Sequence, residues 1–482
     1  MKPLHTVICL ILCCCISNAF CQNLTFYKSP EDDDAKYKEW IAATEKRYKA
    51  DVSGISGKNK KYLEEIFKSR FENIKKMYDR KEIVTEAMAN GYLQLIISEI
   101  IKSNQALAAL DTRVAFSRTW WPNASSMGEG TILFNIGLFY KLQNESQAAF
   151  VLCHELAHLF LNHSNNNINR YVNTVYSDEF QAELKKINKS QYQKNQQLDA
   201  LTKSITFGSR RHSREHEAEA DSLAVEWLKN TSFDVRESLS CLSLLDSIDG
   251  DKYNVTLPLN RLFNFQEYPF QEKWTKEEKT LFGSLAASSE EESKKERDSL
   301  KTHPECSLRV AKLKDRVQQY YKAGSRTFVV NEKQFRQLQT DFDYEIIDFC
   351  YRSDNVSRSL YYTIQMLETQ PANAWLITNT GRCINKLFTA QKNHTLSQVA
   401  EMPSPYNDKN YNKLLEFIQR VRLTDIGAFS YYYLLHNQNT LMSNEDFMAV
   451  LIDSKVNFNK PDEKQALIDM YKKQFPSGKY HF

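Results

Sequence analysis

Apolar positions are sparse over residues 30–82, where Tyr37, Trp40, Tyr48, Tyr62, Phe67 and Phe71 punctuate a charged background. That spacing predicts one or two surface helices laid over a core. The pattern then condenses: residues 83–110 (IVTEAMANGYLQLIISEIIKSNQALAAL) carry an apolar set long enough for a buried helix. RVAFSRTWW at 113–121 has the β-branched and aromatic content of a strand, ended by a turn at Pro122-Asn123. GTILFNIGL at 130–138 reads as a second short strand leading into a helix over 138–142.

Asn144 can cap the next helix, with Gln147 three residues on as the reciprocal partner of a capping box. The stretch that follows, SQAAFVLCHELAHLFLNH, is apolar on nearly every side and predicts a buried helix. Polar groups in its middle need partners, because an unsatisfied buried one costs about 1–3 kcal/mol. Residues 164–212 are rich in Asn, Gln, Lys and Ser and predict a solvent-facing helical excursion or flap, followed by an amphipathic helix at about 213–229. The run SSEEESKKERD (288–298) reads as a solvated helix face. Beyond about 318 the periodicity predicts helices at 343–352, 356–369, 373–390, 410–421, 428–436 and 463–474.

Composition narrows the class. The 482 residues exceed one ordinary core, so two or three units are expected. Gly (13) and Pro (11) stand at about half or less of average usage, which favours a mainly helical body over a turn-rich sandwich. With 63 basic and 60 acidic residues and a net charge of +3, the chain lacks the basic stripe of a nucleic-acid binder. Lys2, the apolar run Val7–Ile16 and the small residues around Ala19–Cys21 read as an export signal, too short to span a bilayer. Phe20 is a poor neighbour for a lipid-modified Cys21, so a soluble exported chain beginning near Gln22, periplasmic or secreted, is favoured over an anchored one. Cleavage there leaves Cys153, Cys241, Cys306, Cys350 and Cys383, an odd set with no close pairs and no disulfide framework. Of nine Asn-x-Ser/Thr triplets, those at Asn123 and Asn162 fall where a glycan would obstruct the chemistry below.

That chemistry begins with VLCHELAHLF (151–160). On a helix, His154 and His158 project from one face and can reach one ion at about 2.0–2.1 Å. Glu155 beside them can take a proton from a metal-bound water, whose pKa zinc lowers towards ~7. A catalytic zinc needs a third ligand and an open position. SREHEAEADSLAVEWL (213–228) offers Glu215, Glu217, Glu219 and Asp221, with a buried side at Ala218, Ala220, Leu223, Ala224 and Trp227. Glu217 lies four residues before Asp221, so one can bind metal while the other orients a ligand histidine; Glu219 and Glu215 pair less well. Cys153 is expected to face packing.

HELAH followed some sixty residues later by SRxxExxAD resembles the M48 family of zinc metallopeptidases, the Ste24, HtpX and Oma1 group. PNASSMGEGTILFNIGL (122–138) and KTHPECSLRVAKL (301–313) resemble the family's strand segment and its closing HPxxxxR element, so the resemblance covers roughly 85–317. It implies one zinc per chain on His154, His158 and Glu217, with Glu155 as base and Asp221 behind the ligands. It also implies that Gly130, Thr131, Ile132, Leu133 and Phe134 form the edge along which a peptide lies extended, and that His303 and Arg309 approach the site to steady the oxyanion or gate the zinc. His163, where the family often has a further histidine, is read as structural. SLYYTIQMLETQPANAWLITNTGRCINKLF (359–388) resembles a helical repeat of the tetratricopeptide type, although no 34-residue period continues.

The expected architecture is mainly α (α+β). A signal peptide (1–21) and an N-terminal helical segment (22–82) precede a gluzincin-type metallopeptidase domain with a small sheet (83–317) and a helical C-terminal domain (318–482). The expected function is zinc-dependent endoproteolysis of unfolded or damaged exported proteins. The partners are a protein or peptide substrate and a protein held by the C-terminal helices, with no nucleic acid and no transmembrane segment in the mature chain. The competing class is a latent protease acting as a chaperone-like binding module.

Overall fold

The computed structural model describes residues 26–189, 213–248, 257–276, 306–320, 324–404 and 407–482. The leader, residues 190–212 of the expected flap, the acidic run at 288–298 and His303 therefore lie outside the described residues. The architecture is mainly helical with one small sheet.

Two helices, α1 (Asp34–Ser53) and α2 (Lys60–Asp79), pack on each other as the sparse aromatic pattern predicts. The dense apolar run forms α3 (Ala87–Ser103), which lies on β1 (Arg113–Ser117). β2 (Ala124–Ser126) and β3 (Thr131–Asn135) complete a sheet of order β1-β3-β2, with β1 parallel and β2 antiparallel to β3. Strand β2 lies in the 122–138 stretch that the resemblance marks as a strand segment, but the residue pattern itself gives only the turn at Pro122-Asn123. β1 and β3 are apolar at successive positions because both faces are covered. Val114, Phe116, Ile132 and Phe134 enter the main core, while Ala115 and Leu133 meet Tyr37, Trp40, Ile74 and Tyr78 of α1 and α2.

Helix α4 (Glu145–Phe160) runs through the main core, packed against β2 and α3. Asn144 caps it by accepting from the Gln147 N–H at 3.0 Å. The reciprocal arm differs from a capping box: Gln147 Oε1 accepts from the Gln143 N–H at 2.8 Å. A residue deeper in the first turn matters more. Glu145, fully buried, accepts from Tyr92 Oη at 2.6 Å and from the N–H groups of Val329, Val330 and Asn331 at 2.6–2.7 Å. The helix ends as Asn162 turns left-handed (φ 54°), a conformation asparagine tolerates, and α5 (His163–Val175) starts at once. α6 (Asp178–Lys189) follows, then α7 over 213–228, α8 (Glu237–Ser247), α9 (Cys306–Gln319) and α10 (Glu332–Arg352).

The helices α11 (Val356–Thr369), α12 (Ala374–Lys392), α13 (Lys409–Arg420), α14 (Leu423–Leu441), α15 (Glu445–Asn457) and α16 (Pro461–Gln474) build a second core. α15 was not anticipated, because it is buried on most sides and lacks an amphipathic stripe. Packing also crosses the expected boundary at 317/318. Phe335, Leu338, Phe342 and Ile346 of α10 belong to the metallopeptidase core, whereas Leu257, Phe263 and Trp274 belong to the C-terminal one. All five described cysteines are buried free thiols, Cys153 among them. Among the described residues no helix is long and apolar enough to cross a membrane.

Candidate metal centre

Helical spacing puts His154 and His158 on one face of α4, one turn apart, and α7 lies across that face. The His154 and His158 Nε2 atoms are 3.0 Å apart. Glu217 completes a triangle, with Oε2 3.4 Å from His154 Nε2 and Oε1 3.3 Å from His158 Nε2. Tetrahedral zinc with bonds of about 2.0–2.1 Å sets neighbouring ligand atoms roughly 3.3 Å apart, so the three donors fit the ion in separation and in type. Of the glutamates offered by α7, Glu217 reaches the histidines; Glu215 is exposed, and Glu219 turns to His163 instead.

Asp221 lies behind this triangle. Its Oδ1 is 3.0 Å from His154 Nδ1, the nitrogen facing away from Glu217. Arg309 of α9 donates from Nε to Asp221 Oδ2 at 2.7 Å and from Nη2 to Oδ1 at 2.6 Å, and its Nη1 lies 3.2 Å from Glu217. Arg309 therefore approaches the centre from behind the ligands, its guanidinium on two carboxylates and its side chain lining a small pocket with His154 and Glu155. Burial alone would raise the Glu217 carboxyl, yet His154, His158 and Arg309 hold it well below the usual range. Asp221 is likewise lowered by Arg309 and His154 against burial. Burial opposes protonation of His154, but the contacts with Asp221 and Glu217 raise its pKa to about 10.

Glu155 is buried beside the triangle and makes no hydrogen bond to any described residue. It lines the cleft together with Ala124, Ser125, Ser126, His154, His158 and Glu217.

The cleft corrects the expected substrate strand. Residues 131–134 lie in β3, the middle strand, bonded to β1 on one side and β2 on the other, so that segment has no free edge. The edge beside the histidines is β2, and among the described residues no strand pairs with its outer side. Its connection to β3 is tight. Gly128 has φ +81°, and a Cβ there would meet Ser164 Oγ at 2.5 Å.

His163, read from sequence as structural, packs directly behind the centre. Its Nδ1 is 2.9 Å from His158 Nδ1 and its Nε2 is 3.1 Å from Glu219 Oε2, while its ring stacks on His216. Burial, with the imidazoles of His158 and His216, lowers its pKa to about 4. The reversal of the chain at Asn162 is what brings it back, and a spacing of five from His158 gave no sign of that.

A buried helix bearing HExxH, closed by a glutamate from a second helix beside the edge of a small sheet, defines a metallopeptidase of the zinc class. Residues 87–317 match the model of peptidase family M48, and this part of the chain is a domain of that family of zinc-dependent metallopeptidases. No curated protein matches the chain.

Proposed function

We propose that the chain is an endopeptidase that cleaves extended segments of unfolded or damaged exported proteins. In this reading His154, His158 and Glu217 hold one zinc ion, and Glu155 is the catalytic base. The observation that carries it is the shared cleft, in which the ligand triangle, the Glu155 carboxylate and the outer edge of β2 lie together. Zinc bound there would polarise the scissile carbonyl and acidify a water near neutral pH. Glu155 then takes a proton at its carboxylate and delivers it to the leaving amine. Asp221, 3.0 Å from His154 Nδ1, would draw the ring proton to that nitrogen and leave Nε2 free to ligate, and Arg309 keeps Asp221 ionised. An extended chain added along β2 would gain main-chain hydrogen bonds with little demand on side chains, which suits unfolded substrates. Export rests on the apolar leader pattern of residues 7–21.

The test is digestion of an unfolded casein-type substrate by the full chain, with chelator, with zinc restored, and with Glu155→Gln. Cleavage should vanish with chelator, return with zinc, and fall at least about 100-fold in Glu155→Gln. Retention of the full biological effect by Glu155→Gln would favour the chaperone-like alternative. Normal zinc occupancy in Glu217→Ala would remove Glu217 as the third ligand.

A further inference from the structure

His158 is held from behind by a second histidine, and ligation decides where both rings carry their protons. As a ligand, His158 must keep the Nε2 lone pair free, so its proton sits on Nδ1. That nitrogen lies 2.9 Å from His163 Nδ1, which must then accept, leaving the proton of His163 on Nε2. His163 Nε2 in turn lies 3.1 Å from Glu219 Oε2, a carboxylate able to accept it. The ring of His163 is fixed by face-to-face stacking on His216, with centroids 3.9 Å apart and planes within 10°.

We propose that His163 and Glu219 are positioning residues, a hydrogen-bonded relay that sets the tautomer and aim of the ligand His158. The inference rests on the zinc reading above. The two ligand histidines are thus supported unequally: His154 directly by buried Asp221, His158 through a second imidazole by Glu219, whose side chain is 60% exposed. Solvent screens that last link, so His163 matters more than Glu219.

The same proton placement bears on a second cluster. His163, His216 and Glu219 offer donor atoms within 4.8 Å of one another. Ligation through His163 Nε2 would leave a hydrogen on its Nδ1, pointing at the Nδ1–H of His158 across 2.9 Å. A second ion is therefore excluded there while the first is bound.

The experiment measures zinc affinity by chelator competition, the visible spectrum of the cobalt(II)-substituted chain, metal stoichiometry and thermal midpoint. His163→Phe should weaken zinc by about 10- to 100-fold and shift the cobalt spectrum, whereas Glu219→Ala should cost only a few-fold. His163→Asn, whose Oδ1 can accept from His158 Nδ1–H, should recover most of the affinity, and every protein should bind one ion. Equal zinc affinity in His163→Phe and wild type overturns the relay. So does an equal loss in the Phe and Asn variants, which would mean the ring only fills space. A second ion in the wild type that Glu219→Ala abolishes would make the cluster a metal site instead. A wild-type chain that takes up no ion at all would remove the zinc reading itself, a failure separate from the other three.

Discussion

Arg309 grips both carboxylate oxygens of Asp221, at 2.7 and 2.6 Å, although 88 residues separate them in the chain. Because Asp221 in turn faces His154 Nδ1, a residue far along the chain acts on a ligand. Arg309→Leu breaks a buried ion pair and leaves Asp221 with His154 alone, at a cost of about 3 kcal/mol. We expect a clearly lowered thermal midpoint and weaker zinc binding, both followed by calorimetry. Arg309→Leu with wild-type stability and zinc affinity would contradict the assignment.

Glu145 is a second such anchor, joining the start of the HExxH helix to the 329–331 segment and to Tyr92. Glu145→Ala strands a buried hydroxyl and three N–H groups. Each unsatisfied group costs about 1–3 kcal/mol, so a total loss of several kcal/mol is expected in urea unfolding. Glu145→Gln, which keeps an acceptor oxygen, should lose less.

Zinc uptake should depend steeply on pH. In the metal-free chain the pKa of His154 is raised to about 10, so its stabilising contribution is complete below its ordinary value of about 6.5 and disappears as pH rises through 10. Glu217 and Asp221 are lowered, so theirs is present above their ordinary values and lost as pH falls through the depressed ones. From this cluster the metal-free protein is most stable in the mildly acidic range. Zinc must displace the His154 proton, so its affinity should rise about tenfold per pH unit between 7 and 9, with about one proton released per ion. Calorimetry in buffers of different ionisation heat counts that proton; a flat affinity across the range would refute the coupling.

The outer edge of β2, with which no strand pairs among the described residues, makes a prediction about substrates. If a peptide adds there as a strand, N-methylation of one pairing amide removes a hydrogen bond and leaves a strand carbonyl unpaired. A scan of singly N-methylated peptides should find positions where kcat/KM falls by about 10- to 100-fold. Uniform cleavage across the scan would place the substrate elsewhere.

Local chemistry was legible in the sequence wherever one helical turn decided it. His154 and His158 share a face because they are four residues apart, and Asn144 caps their helix because its side chain reaches an N–H three residues on. The buried character of that helix followed from its lack of a polar face. For the same reason α15, buried on most sides, left no stripe to read.

What residues 151–160 and 213–228 determined alone is the kind of centre: two imidazoles, an adjacent carboxylate and a choice of acidic partners. The tertiary structure decided which of them meet. The crossing of α7 over α4 selects Glu217 and sends Glu219 to His163, and β2 takes the edge that the sequence assigned to 130–134. α9 brings Arg309 to Asp221, and the left-handed turn at Asn162 returns His163 to His158. Helical periodicity acts within a few bonds and is written into neighbouring residues. Strand order and helix crossing depend on contacts between residues far apart in the chain, which no local pattern encodes.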